Sequence, residues 1–223
     1  MSRKRPSDDV LADYAGGALT PGLSLLVASH LTFDAESRRR VAGFEAIGGV
    51  MLADEAPMEP PALDGVLERL NGQVASFAEA TPDAADHGGA ILLEEAPRPV
   101  FPAPLRKELG VDAEGVAWKF RFPGVSEYEL DGFEGEEVSL LRAKPGAPLL
   151  SHTHSGVETT LVLSGQLQDR DEVYGPGDVS IATDEDDHRP RIIGDAPCIC
   201  LIVMSGELRF TGTFSRALNL LAE

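Results

Sequence analysis

Two cysteines in 223 residues, Cys198 and Cys200, exclude a disulfide-stapled scaffold. Standing two apart in an apolar run, they are badly placed to bridge each other and suit a reducing compartment. Also missing is any stretch approaching the roughly 18 apolar residues that mark a membrane-spanning helix. The opening Met1-Ser2-Arg3-Lys4-Arg5-Pro6-Ser7-Asp8-Asp9 leads into charge rather than into an apolar signal core. The chain is therefore expected in the cytoplasm. Cations are scarce: 19 Lys and Arg stand against 37 Asp and Glu, a formal net charge of −18. Phosphate contacts require clustered Lys and Arg, so the balance argues against nucleic acid or an anionic membrane as direct partner. An acidic surface suits a basic protein partner instead. Gly175-Pro176-Gly177 and Gly88-Gly89 are turn signals outside any Gly-rich phosphate motif, and no internal repeat is present.

What the chain does have is enough apolar residue, 43%, for one large domain or two small ones. The first 80 residues carry helical periodicity. Ser7 is placed to cap a helix bearing Val10, Leu11 and Tyr14, which Gly16-Gly17 ends. Thr20 with Pro21 opens a second, whose Leu23, Leu26, Val27, His30 and Leu31 share one stripe. Beyond Asp34 a third segment turns Arg38, Arg39 and Arg40 outward and has Val41, Phe44, Ile47 and Met51 as its apolar side. A fourth is expected over 62–77, with Leu63, Val66, Leu67, Leu70 and Val74 in step.

Pro82, Pro97, Pro99, Pro102 and Pro104, with scattered acids, read as a connector over 81–104. Beyond it, short apolar or alternating runs at Val116–Phe122, Glu137–Ala143, Thr159–Leu163, Val179–Ala182 and Cys198–Met204 are separated by Gly, Pro and Asp turns. That pattern predicts a small barrel or jelly roll. The expected organisation is thus α+β and two-domain: a helical bundle over 1–80, the connector, and a β domain over 105–223.

The residues with the most chemistry lie in the β domain. His152, His154 and Glu158 place three metal-binding side chains within seven positions. Residues two apart on a strand share a face, so both histidines can point inward while Glu158 returns on the adjoining turn or strand. His188, after the turn from Gly175 to Asp178, offers a fourth ligand. Three imidazoles and a carboxylate suit zinc first, with iron, manganese or nickel as alternatives. Asp184, Glu185, Asp186 and Asp187, just before His188, read as a solvated loop, and the two cysteines as buried structural thiols.

These residues resemble a known family. Gly146, His152-Thr153-His154, Glu158 and Gly165 stand at the separations of the first cupin motif. Gly177 and His188 stand at those of the second, with Thr183 and Glu185 replacing its usual Pro and Gly. The whole chain resembles the ChrR-type anti-sigma factors. That resemblance rests on the Ser7-Asp8 to Ala18-Leu19 opening, on Leu25-Leu26-Val27-Ala28-Ser29-His30-Leu31, on Ala46-Ile47-Gly48-Gly49, on Glu158-Thr159-Thr160-Leu161-Val162-Leu163-Ser164-Gly165 and on Cys198-Ile199-Cys200-Leu201. It implies a C-terminal cupin barrel with a metal held by His152, His154, Glu158 and His188. It also implies a helical domain that sequesters an extracytoplasmic-function sigma factor and releases it on an oxidative signal, singlet oxygen or organic hydroperoxide. A homodimer through the cupin is a further option the family allows. One departure stands out. The family's helical domain binds zinc through His-x-x-x-Cys-x-x-Cys and an upstream His, whereas here only His30 remains, with Asp34 and Ser37 at the cysteine positions and Arg5 or Pro6 near the upstream one. A carboxylate, a hydroxyl and one imidazole make a poor zinc site, so no metal is expected there. A metal-dependent cupin enzyme, a dioxygenase or isomerase with a degenerate helical domain, is the alternative reading.

Overall fold

Three helices precede the strands and a fourth introduces them: α1 (Asp8–Ala15), α2 (Pro21–Phe33), α3 (Ala35–Ala53) and α4 (Ala103–Leu109). The computed structural model describes residues 4–56, 98–147, 149, 152–184, 186, 189–206 and 208–210, and at 152, 154 and 208–210 describes the backbone alone. The helix expected over 62–77 and most of the connector lie outside the described residues. Contacts divide the chain into two units, Met1–Gly48 with Pro99–Glu223, and Gly49–Arg98. The second unit is described only at the end of α3, through Ala56, and at Arg98. No helix among the described residues is long and apolar enough to cross a membrane.

The helix starts follow local chemistry. The Ser7 hydroxyl accepts the Val10 N–H at 3.4 Å, and Gly17 takes the left-handed conformation just past the end of α1. Asp34 caps α3, its Oδ1 accepting the N–H groups of Glu36 at 2.7 Å and Ser37 at 3.0 Å. α2 departs from the expected pattern. Thr20 makes no side-chain cap there. Its hydroxyl bonds Glu136, whose other carboxylate oxygen accepts the Gly22 N–H at 2.8 Å. Glu136 precedes a β-strand more than 100 positions away, so a carboxylate of the β domain supplies the anion that the N-terminus of α2 favours. α4 was not expected. It begins where the connector was read to end, with Pro104 in its first turn, and the Asp112 carboxylate accepts the Val100 and Phe101 N–H groups at 3.0 and 2.8 Å.

Eleven described strands follow in antiparallel pairings. The largest sheet orders β1 (Lys119–Phe122), β2 (Val125–Leu130), β3 (Glu137–Ala143), β10 (Cys198–Ser205), β5 (Val157–Ser164) and β8 (Val179–Ala182) as β1-β2-β3-β10-β5-β8. A second joins β7 (Glu172–Tyr174), β6 (Gln166–Asp169) and β9 (Arg191–Ile193), and a third pairs β4 (His152–His154) with β11 (Leu208–Phe210). Strands β3 and β8 have the bounds expected from sequence. β2, β6, β7, β9 and β11 were missed.

Alternation along the central strands sorts the core into two layers. Leu140, Leu161, Leu163, Ile199, Leu201 and Val203 pack outward under Leu26 of α2 and Phe101 and Leu105 of α4. Ala143, Val162, Cys198 and Cys200 face the barrel interior, where Leu167 and Ile192 of the smaller sheet meet them. A third cluster, Leu11, Val27 and Val41, joins α1 to α3. The large sheet is thus covered on both faces, one of them by the N-terminal helices. Within α2 the Ser29 hydroxyl is fully buried with no hydrogen-bond partner among the described residues. An orphaned hydroxyl retains its desolvation cost, so Ser29→Ala should raise stability by about 1 kcal/mol, read as an increase in thermal midpoint; a fall would show that the hydroxyl has a partner.

Candidate functional site

The expected ligands of the barrel are carried by separate elements. His152 and His154 stand on β4, opposite Phe210 and Leu208 of β11. Glu158 lies on β5, paired with Ala182 of β8 and Met204 of β10. His188 lies outside the described residues. Gly156 makes the passage from β4 to β5 feasible, since a Cβ there would stand 1.7 Å from the Ser205 carbonyl oxygen. The Glu158 side chain is buried and accepts the Thr160 hydroxyl at 3.0 Å. It shares its strand face with Thr160 and Val162, on the interior side. A carboxylate is a hard oxygen donor of the kind that divalent cations take. Among the described residues, which exclude both β4 histidine side chains and His188, no group of three or more ligating residues stands together.

Cys198 and Cys200 lie on the same interior face, both buried and free, with sulfurs 3.6 Å apart. The Cys198 contact, burial and the nearby Glu158 charge push the Cys200 thiol well above its ordinary range. A thiol so held is a packing group at neutral pH, since nucleophilic and metal-binding chemistry belongs to the thiolate. In the acidic loop, Asp186 accepts the Thr183 N–H at 2.8 Å and pairs with Arg170. A shallow polar cavity of about 360 Å³ lies elsewhere, lined by Gln168, Arg170, Asp171, Arg189 and Arg191.

The second candidate site is the corner between α2 and α3, where the family resemblance places zinc. His30 is fully buried and both its ring nitrogens are engaged, Nδ1 with the Gly177 carbonyl oxygen at 2.8 Å and Nε2 with the Ser37 hydroxyl at 2.8 Å. A carbonyl only accepts, so Nδ1 carries the proton and Nε2 accepts from Ser37 in the neutral ring. Asp34 is also buried, and its Oδ2 accepts from Arg5 Nε at 2.7 Å. These residues do not fit zinc: a guanidinium stands beside the carboxylate, a hydroxyl replaces a thiolate, and the imidazole is already bonded on both sides. His30 is a core histidine and Asp34 a helix cap. What sequence did not reveal is that the partner of His30 is the β domain's own turn. The two residues are 147 positions apart, and no local signal connects them.

Burial raises the Asp34 pKa, but the Arg5 hydrogen bond and the Ser37 and Glu36 N–H groups outweigh it and hold the carboxyl at about 2, against an ordinary 3.8. A folded-state pKa below the unfolded one stabilises at pH above the unfolded value, and that stability is lost as pH falls toward 2. It amounts to about 2 kcal/mol. Asp34→Asn should therefore lower stability at neutral pH and flatten the acid limb of the unfolding curve between roughly pH 4 and 2; an unchanged acid limb would remove Asp34 from this role.

Comparison with known proteins agrees with both halves of the architecture. The family model of the ChrR cupin-like domain matches residues 106–208. The anti-sigma-E factor ChrR of Cereibacter sphaeroides is 34% identical over 211 residues, which span 93% of this chain and 92% of that protein. A crystal structure of Rhodobacter sphaeroides SigE in complex with the anti-sigma ChrR matches with a TM-score of 0.71 at 31% identity, covering 91% of this chain and 98% of that one. The similarity runs through the helices as well as the barrel, and the chain belongs to the ChrR-type anti-sigma factor family.

Proposed function

We propose that this chain is a cytoplasmic anti-sigma factor that sequesters an extracytoplasmic-function sigma factor through its helices and releases it on an oxidative signal received by the cupin. The observation that carries the reading is similarity to an anti-sigma factor over nearly the whole length of both chains. Two features of the chain support it. The net charge of −18 complements a basic, DNA-binding partner and favours fast association. The end of α3 exposes Val50, Met51 and Leu52, at 66 to 74% of their surface, apolar side chains suited to a protein partner.

Within the cupin, His152, His154, Glu158 and His188 are the residues that would hold one divalent metal, zinc first by ligand chemistry. Bound there, the metal would supply a positive charge that compensates the Glu158 carboxylate and cross-links β4, β5 and the loop after β8. The chain's own residues shape what surrounds it. Thr160 fixes one Glu158 oxygen, and the two buried thiols pack side by side on the same interior face. The helical corner contributes no metal to this reading.

The test is co-purification with the extracytoplasmic-function sigma factors of the protein's own genome, with elemental analysis of the same sample. A one-to-one complex carrying about one metal per chain is expected, the stoichiometry of a single four-ligand site. His154→Ala should abolish that metal, and Met51→Glu should weaken sigma binding by about tenfold or more, as truncation of an interface anchor does, while leaving metal content unchanged. No sigma partner, together with turnover on a small-molecule substrate, would overturn the proposal in favour of a cupin enzyme.

A further inference from the structure

The corner that fails as a zinc site is bonded to something else. From Ser37 on α3 the bonds run through the His30 ring to the Gly177 carbonyl in the turn before β8. From Asp34, one residue beyond α2, they run through Arg5 to its neighbour Lys4. The Lys4 backbone then returns to the same turn: its N–H donates to Asp178 Oδ1 at 3.1 Å and its carbonyl accepts the Val179 N–H at 3.0 Å. Its ammonium reaches the Val173 carbonyl at 3.1 Å and lies 4.1 Å from the centre of the Tyr174 ring. The two routes therefore close a ring that ends on the consecutive residues Gly177, Asp178 and Val179.

The turn is built to present these groups. Gly177 adopts φ +88°, a conformation that favours glycine, and Asp178 Oδ2 holds the Gly175 N–H at 2.9 Å. Asp178 therefore divides its oxygens between shaping the turn and gripping the N-terminal segment. The Gly177 N–H donates to the Val162 carbonyl at 2.8 Å, and the Val162 N–H donates to that of Asp178 at 3.1 Å, so the turn is fastened to β5 as well.

We infer that in this chain the cupin's Gly175–Asp178 turn takes the place of zinc as the organiser of the helical module: the α2–α3 corner is a docking surface for that turn. The helices are ordered by the barrel, and the N-terminal segment at Lys4 is the clamp that holds the two together. This concerns how the module is held, and it stands whether or not a sigma factor binds.

Residue-resolved hydrogen exchange on the full-length protein tests it, with metal content measured on each variant. Asp178→Asn keeps one carbonyl acceptor for the turn and weakens the grip on Lys4. Exchange at the 34–38 amides, far from the substitution in sequence, should accelerate roughly tenfold or more, while β1 and β2 keep their protection. Arg5→Ala provides the reciprocal measurement, because the Val179 amide that bonds Lys4 should then exchange faster. Both variants should retain wild-type metal content. Wild-type protection of residues 34–38 in the first variant, an unmoved Val179 amide in the second, or loss of one metal per chain in Arg5→Ala would each overturn the inference. If Asp178→Asn unfolds the barrel outright, β1 and β2 lose protection too, and the Arg5→Ala measurement decides.

Discussion

The constraint on which the rest depends is that strand β10 is apolar on both faces. Its sequence Cys198-Ile199-Cys200-Leu201-Ile202-Val203-Met204 leaves no side that water can cover, and six of these seven residues are buried. Seated between β3 and β5, it directs Cys198 and Cys200 into the barrel and Ile199, Leu201 and Val203 out of it. A sheet with such a strand at its centre must be covered on the outside as well as closed on the inside. α2 and α4 provide that outer layer. The N-terminal helices are consequently part of the barrel's packing, and the first 48 residues fall in one unit with the β domain.

That packing explains which features were legible in the sequence. α1 and the cap of α3 are encoded within four residues, Ser7 to Val10 and Asp34 to Ser37, and were readable. Strands β3, β5, β8 and β10 are apolar runs between turns and were readable too. β6 and β9 bury only one face each, β7 has no fully buried residue, and all three are three or four residues long, too short for alternation to stand out. α4 was hidden by prolines: Pro102 and Pro104 signal a connector, yet both sit at a helix start, where a missing N–H costs nothing.

The candidate sites divide along the same line. The cupin motif is legible because its spacing is local, and β4 and β5 place three of the four residues read from it, His152, His154 and Glu158, on defined backbone. The α2–α3 corner was legible only as a loss of zinc ligands. What stands there instead involves Gly177 and Asp178, both more than 100 positions away along the chain, and such contacts carry no sequence period. The substitutions are nevertheless coherent. Arg5 neutralises the Asp34 carboxylate, and the Ser37 hydroxyl donates to the His30 ring.

Energy decides what such a replacement can do. A structural zinc contributes on the order of 10 kcal/mol or more to the folding of a small domain. A neutral buried hydrogen bond contributes about 1 kcal/mol and one to a charged group about 2, so the polar corner alone falls well short of a zinc. Helices of 8 and 13 residues such as α1 and α2 are marginal by themselves. The remainder has to come from apolar burial, at about 2 kcal/mol for each large side chain, and the surface that supplies it is the outer face of the barrel, where Leu26 is fully buried and Leu23, Leu25 and Phe33 pack beside it. Without a metal of their own, these helices draw their order from the sheet. The order of these helices therefore depends on β5, β8 and the turn that joins both to His30.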